Sequence, residues 1–164
     1  MPVHETPVGF KYIGELIKAD RIVIGGEESA GLTMKGHVPE KDGILACLLV
    51  AEMVARRNKN LRQQLVEIES EVGTFHTVRL NLHLTPELKG AVKAKLESPP
   101  ATLGGKPVVE LNRTDGLKLI LQNGSWILLR LSGTEPVARC YVEAHTANEL
   151  NQLTETAREF VLGK

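Results

Sequence analysis

The period of the apolar positions changes several times along the first third of the chain. Residues 3–6 form a short extended stretch. Phe10, Ile13, Leu16 and Ile17 then recur at helical spacing, and residues 21–25 carry Ile22, Val23 and Ile24 as a strand. Directly after that strand comes Gly-Gly-Glu-Glu-Ser-Ala-Gly, residues 25–31. A glycine-rich stretch with two acids there predicts a tight loop at the strand's carboxyl end, the place where α/β sheets keep ligands. Asp42 precedes a run over 44–57 that is apolar on nearly every side and basic in its last turn, which predicts a deeply buried helix capped by Asp42. Residues 61–71 read as a second, more solvated helix ending near Gly73, and the domain boundary is expected there.

From Thr77 the pattern becomes strict alternation, with Val78, Leu80, Leu82 and Leu84 on one side, so residues 77–84 predict a half-buried strand. Pro86 opens a helix whose Leu88, Val92 and Leu96 share a face, and Ser98-Pro99-Pro100 stops it. Strands are expected over 107–111, 117–121 and 126–131, the last two joined across Asn123-Gly124, a strong hairpin signal. Ala138, Cys140, Val142 and Ala144 alternate with polar partners in a further strand. Thr146 and Glu149 then form a capping box for a closing helix with Leu150, Leu153, Ala157 and Val161 inward. The reading is an α/β region over residues 1–72 followed by an α+β domain over 73–164, a mostly antiparallel sheet with helices on one face.

Composition narrows the function more than the fold. In 164 residues, 42% are apolar and 24% charged, which fits a folded globular chain and excludes a disordered or membrane-embedded one. Twenty Lys and Arg balance twenty Asp and Glu, so no long-range basic field exists to collect nucleic acid or an anionic membrane, and any anion site must be local. Cys47 and Cys140 lie in apolar runs and are expected as buried free thiols. The first seven residues carry no export signal, and the longest apolar stretch is far shorter than the roughly 20 residues that span a bilayer. A cytoplasmic location is the resulting expectation.

The densest chemistry is Arg130-Leu131-Ser132-Gly133-Thr134-Glu135-Pro136, with Arg139 beginning the next strand. Two guanidinium groups, two hydroxyls and glycine-permitted backbone amides on one turn offer the donors that a phosphate dianion accepts. Arginine's planar fork can bind two phosphate oxygens at once. An ordinary β-turn with its arginines in water would have the same composition. Glu135 would repel an anion it faced, so it is expected to point away and orient an arginine or a backbone amide.

Residues 130–139 resemble the phosphate-binding loop of the α-D-phosphohexomutases, the phosphoglucomutase and phosphomannomutase superfamily. Gly26-Glu27-Glu28-Ser29 resembles that family's sugar-binding loop, and Thr6-Pro7-Val8-Gly9-Phe10-Lys11 its preceding segment, whose lysine faces the substrate. The resemblance implies a four-domain enzyme in which a phosphoserine of the first domain phosphorylates a hexose monophosphate. The bisphosphorylated intermediate then returns its other phosphate to the serine, with a magnesium ion held by an aspartate-rich loop. It further implies that residues 1–72 are a partial domain 3 and 73–164 a domain 4 of TATA-binding-protein-like fold. Arg130, Ser132, Gly133, Thr134 and Arg139 match the phosphate anchor, Glu27 and Ser29 the sugar reader, and Lys11 a further positive charge, although Lys11 also reads as a helix-surface lysine. His37 and Lys41 are second-tier candidates that a solvated loop explains as well.

Neither the Ser-His-Asn-Pro-like nucleophile segment nor the Asp-Gly-Asp-x-Asp-Arg metal loop occurs in this sequence, so no catalytic residue and no metal ligand is assigned to it. The expectations are a chain without mutase activity on its own, weak phosphosugar binding, and unpaired apolar surface facing the missing N-terminal domains of the same enzyme. Residues 25–31 look more like the glucose-specific members, because Ala30 stands where mannose and glucosamine mutases carry glycine. Phosphomannomutase or dual specificity is the alternative. A free-standing phosphosugar-binding module and a plain structural domain remain as readings from other classes.

Overall fold

Phe10, Ile13 and Ile17 fulfil their helical spacing. In the computed structural model, which describes residues 2–163, they are the buried face of α1 (Phe10–Lys18). The chain divides into two compact units, Met1–Glu71 and Val72–Lys164.

In unit 1, α1 packs on a two-stranded antiparallel ribbon of β1 (Ile24–Gly26) and β2 (Leu32–Met34), registered Gly26 to Leu32. Two glycines permit close approach to α1, at one by the ribbon and at the other by the segment after it. A Cβ on Gly25 would lie 2.3 Å from Ile13 Cγ2, and one on Gly14 would lie 2.3 Å from the Pro39 carbonyl oxygen. The strand expected over 21–25 begins at Ile24, and residues 3–6 form no strand. Helix α2 (Gly43–Arg57) starts where expected, with Asp42 Oδ1 accepting from the amides of Ile44 and Leu45 at 2.9 and 3.1 Å.

The expected deep burial of α2 does not occur, for none of its residues is buried and Ile44 is 77% exposed. An all-round apolar helix needs neighbours on every side, and within this unit α2 packs on the short ribbon strand β2. Cys47, expected to be buried, is exposed for the same reason. Helix α3 (Leu61–Val72) follows, as solvated as its sequence suggests apart from buried Gln64. Asn60 and Gln63 cap it reciprocally, each side-chain oxygen accepting from the other residue's amide at 2.9 Å.

Unit 2 follows its sequence pattern closely. Its elements are β3 (His76–His83), α4 (Pro86–Glu97), β4 (Thr102–Leu103), β5 (Lys106–Asn112), β6 (Leu117–Leu121), β7 (Trp126–Leu131), β8 (Val137–Ala144) and α5 (Ala147–Leu162). The six strands form one antiparallel sheet in the order β3-β8-β7-β6-β5-β4. Strand β4 is an addition to the expected set, a two-residue edge closed on β5 by Gly104 and Gly105, both with positive φ.

One face of the sheet carries the core: Leu80, Leu82, Leu117, Leu119, Leu121, Ile127, Leu129, Ala138, Cys140 and Val142 meet Val92 of α4 and Leu153, Ala157 and Val161 of α5. Each such large side chain contributes about 1.5–3 kcal/mol on burial. Burial also pushes the Cys140 thiol up to about 12. The opposite face carries the intervening residues of β7 and β8, among them Arg130, Arg139 and Tyr141.

The expected capping box at α5 is half formed. Thr146 Oγ1 accepts from the Glu149 amide at 3.2 Å. The Glu149 carboxylate, instead of returning to Thr146, binds Lys106 and the Asn123 side-chain amide, fastening α5 to β5 and to the β6–β7 turn. Lys106 above all, with Asn123 and Ser125, holds this carboxyl down at about 2, against the opposing effect of burial.

Candidate anion-binding turn and acidic hairpin loop

The β7–β8 hairpin brings Arg130 and Arg139 together as directly opposed Cα partners. Opposed residues of an antiparallel pair project on the same face, so the two guanidinium groups share the open side of the sheet. Residues 132–136 close the turn. Ser132 donates its amide to the Val137 carbonyl at 3.0 Å, and Pro136 accepts from the Leu84 amide at 2.8 Å, which ties the turn to the chain just after β3. Ser132 Oγ accepts from the amides of Glu135 and Thr134 at 3.1 and 3.4 Å and lies 3.5 Å from Thr134 Oγ1. Two hydroxyls are thereby gathered on the turn that joins the two arginine-bearing strands, with the turn's amides of Thr134 and Glu135 engaged by Ser132.

Like charges in opposed positions repel, and each arginine here has its own carboxylate. Arg130 Nε lies 3.2 Å from Asp115 Oδ2, and Arg139 Nη2 lies 3.2 Å from Glu135 Oε2. Glu135 therefore orients an arginine, as its sequence position suggested. Gly133 differs from expectation, because its backbone is outside the left-handed region and an added Cβ would meet no atom within 4 Å. The turn itself does not require glycine there. What the missing side chain provides is open space.

In unit 1 the acidic loop is the β1–β2 connection, a hairpin loop rather than the exit of a longer strand. The Glu27 amide donates to the Gly31 carbonyl at 2.8 Å, and the Ala30 amide donates to Glu27 at 3.0 Å. Ala30 sits in the left-handed region at φ 68°. Gly31 makes room for the Glu27 carboxylate, since a Cβ there would lie 2.9 Å from Glu27 Oε2. The Glu27 side chain is mostly enclosed and faces Lys41, whose Nζ is 3.6 Å away. Ser29 is exposed in the same loop.

Lys11, exposed in the first turn of α1, places its ammonium 4.8 Å from the centre of the Tyr12 ring. Of the basic candidates, Lys41 is thus the one in contact with Glu27. His37 Nε2 lies 2.8 Å from Asp42 Oδ2, and this bond, followed by the Leu45 amide, lowers the Asp42 carboxyl below its usual range. His37 therefore serves the cap of α2. Sequence reasoning missed Asp115, whose signal was the Asp115-Gly116 turn dipeptide between two strands.

Among the described residues no group of three or more His, Cys, Asp or Glu side chains is gathered to hold a metal ion. No described helix is long and apolar enough to cross a membrane.

Two family models match the chain: "Phosphoglucomutase/phosphomannomutase, alpha/beta/alpha domain III" over residues 1–71, and "Phosphoglucomutase/phosphomannomutase, C-terminal domain" over residues 84–160. The phosphoglucomutase of Rhizobium radiobacter is 30% identical over 94% of this chain and 32% of its own length. The phosphoglucosamine mutase of Cutibacterium acnes is 30% identical over 97% of this chain and 31% of its own. A crystal structure from Thermus thermophilus, assigned as a phosphomannomutase, superposes with a TM-score of 0.74 at 36% identity over 96% of this chain and 31% of that one. The chain thus spans about a third of the length of the curated relatives it matches.

Proposed function

The chain belongs to the phosphoglucomutase/phosphomannomutase family, and on that premise we propose that it supplies phosphate anchoring and sugar reading to a phosphohexomutase that interconverts glucose 1-phosphate and glucose 6-phosphate. One observation carries the reading: Arg130 and Arg139 are opposed across β7 and β8 at the mouth of a turn bearing Ser132 and Thr134. A hexose phosphate that must react at either end needs a fixed grip on whichever phosphate is not reacting. Two planar forks and two hydroxyls grip a dianion without regard to which end of the sugar bears it. Positioning of this kind is the main protein contribution in phosphoryl transfer. The open space at Gly133 lets a phosphate oxygen approach the backbone of the turn.

Glu27 and Ser29 read the sugar hydroxyls in this proposal, with Lys41 holding the Glu27 carboxylate in place and Lys11 adding charge for a phosphate. The transferring serine and the magnesium loop belong to further polypeptide. The apolar residues exposed on α2 and α3, such as Ile44, Leu48 and Ile68, are the surface that polypeptide would cover. Preference for glucose rests on Ala30, and a mannose or dual preference is the second reading, favoured by the range of sugar names among the relatives.

Titration of glucose 1-phosphate against the unchanged chain and Arg130→Ala tests the proposal. Binding in the first and a loss of about tenfold or more in the second are expected. Equal binding by both removes the anchor. A coupled assay should find no sustained turnover by the chain alone, and mannose 1-phosphate should bind more weakly than glucose 1-phosphate.

A further inference from the structure

Asp115 lies in the turn between β5 and β6, 15 residues before Arg130 in sequence, and its placement depends on its neighbour. Gly116 has φ 91°, and a Cβ on it would stand 2.3 Å from the Leu129 carbonyl oxygen and 3.2 Å from Arg130 Cα. The turn is therefore pressed against the backbone of β7 at the residue that carries the guanidinium, closer than any other amino acid would allow. Thr114 donates its amide to Asn112 Oδ1 at 2.8 Å, which fixes the turn from its other side.

The two carboxylates beside the arginines are placed differently. Glu135 is in the anion turn itself, four residues from Arg139, with its side chain 58% exposed. Asp115 is 25% exposed, on a separate turn, and reaches Arg130 at Nε, the inner nitrogen of the fork. An ion pair made on the Nε side of the guanidinium leaves the two terminal amino groups for an outer anion.

We propose that Asp115 is a positioning residue, which holds Arg130 through an ion pair on the inner side of its guanidinium so that the terminal amino groups stand ready beside Arg139 for a phosphate. The proposal rests on the reading of this turn as an anion site. Gly116 is what makes the hold possible. Without Asp115 the Arg130 side chain would regain its rotamer freedom and be driven from Arg139 by like charge, and binding would have to overcome both.

The test uses the full chain and inorganic phosphate, with nitrogen-15 relaxation at Arg130 Nε reading how far the side chain is held still. In the unchanged chain without phosphate the side chain should be ordered. A freely moving side chain overturns the proposal without need of any variant. Asp115→Asn should loosen the side chain and weaken phosphate binding about tenfold, while in an Arg130→Lys background the same change should alter binding by less than about twofold. An equal loss in both backgrounds would mean that Asp115 merely supports the turn, and overturns the proposal. Failure of the unchanged chain to bind phosphate refutes the anion-site reading instead, and the relaxation comparison still decides whether Asp115 holds Arg130.

Discussion

Unit 1 and unit 2 are built from segments with equally clear apolar patterning, yet they bury it very differently. The sheet of unit 2 encloses Leu117, Leu119, Leu121, Ile127 and Leu129 almost completely, whereas α2 of unit 1 leaves Ile44, Leu48, Val50 and Met53 in solvent. The contrast separates two meanings of an apolar residue. In unit 2 it reports a partner already within reach along the same sheet or on α4 and α5. In unit 1 it reports a need for a partner that the ribbon of β1 and β2 is too small to meet.

Substitutions at matched chemistry sharpen the contrast most. Leu129→Ala should cost about 2–5 kcal/mol in denaturant unfolding of unit 2, while Leu48→Ala should cost less than about 0.5 kcal/mol in unit 1. Comparable losses at both sites would mean that α2 is covered in solution. A dependence on pH comes next. The Glu149 carboxyl is held at about 2 in the folded chain against an ordinary 4.5, so its stabilisation is fully present above pH 4.5 and lost as pH falls toward 2. Urea midpoints measured across that interval should decline for the unchanged chain and decline less for Glu149→Gln, with unit 1 following neither curve.

Smaller effects belong to the caps and loops. Asp42→Ala removes the acceptor for two amides of α2 and the partner of His37, and should reduce helical circular dichroism without affecting the near-ultraviolet signal of Trp126 in unit 2. Ala30→Gly relieves a left-handed residue of its Cβ and should stabilise the β1–β2 loop by about 0.5–1 kcal/mol, read as greater amide-exchange protection at Glu27. No gain there would show that the loop changes shape in solution.

How much of this was legible in the sequence varied with the range of the interaction. Strand alternation over residues 77–84, Pro86, Asn123-Gly124 and the cap at Asp42 are local signals, and each corresponds to an observed feature. Signals that depend on distant partners were misread or missed. The pattern Thr146 to Glu149 predicted a reciprocal cap, but the cation of Lys106 is a stronger partner for Glu149 than the backbone amide it leaves. Asn60 to Gln63 has the same spacing, with no cation bound to Gln63 among the described residues, and there the reciprocal cap forms. At the anion turn, the residues that would touch a ligand were readable because they are contiguous. Asp115 was not, because only the β5–β6 turn pressing on β7 brings it to Arg130.

The two cysteines also end in opposite circumstances, one open on α2 and one sealed beneath α5 with its thiol at about 12. Alkylating reagents consume the thiolate, so at neutral pH a maleimide dye added to the native protein would mark Cys47 and spare Cys140. A fluorophore could thus be installed on the unburied helix without mutagenesis, ready to report by its emission when something comes to rest there.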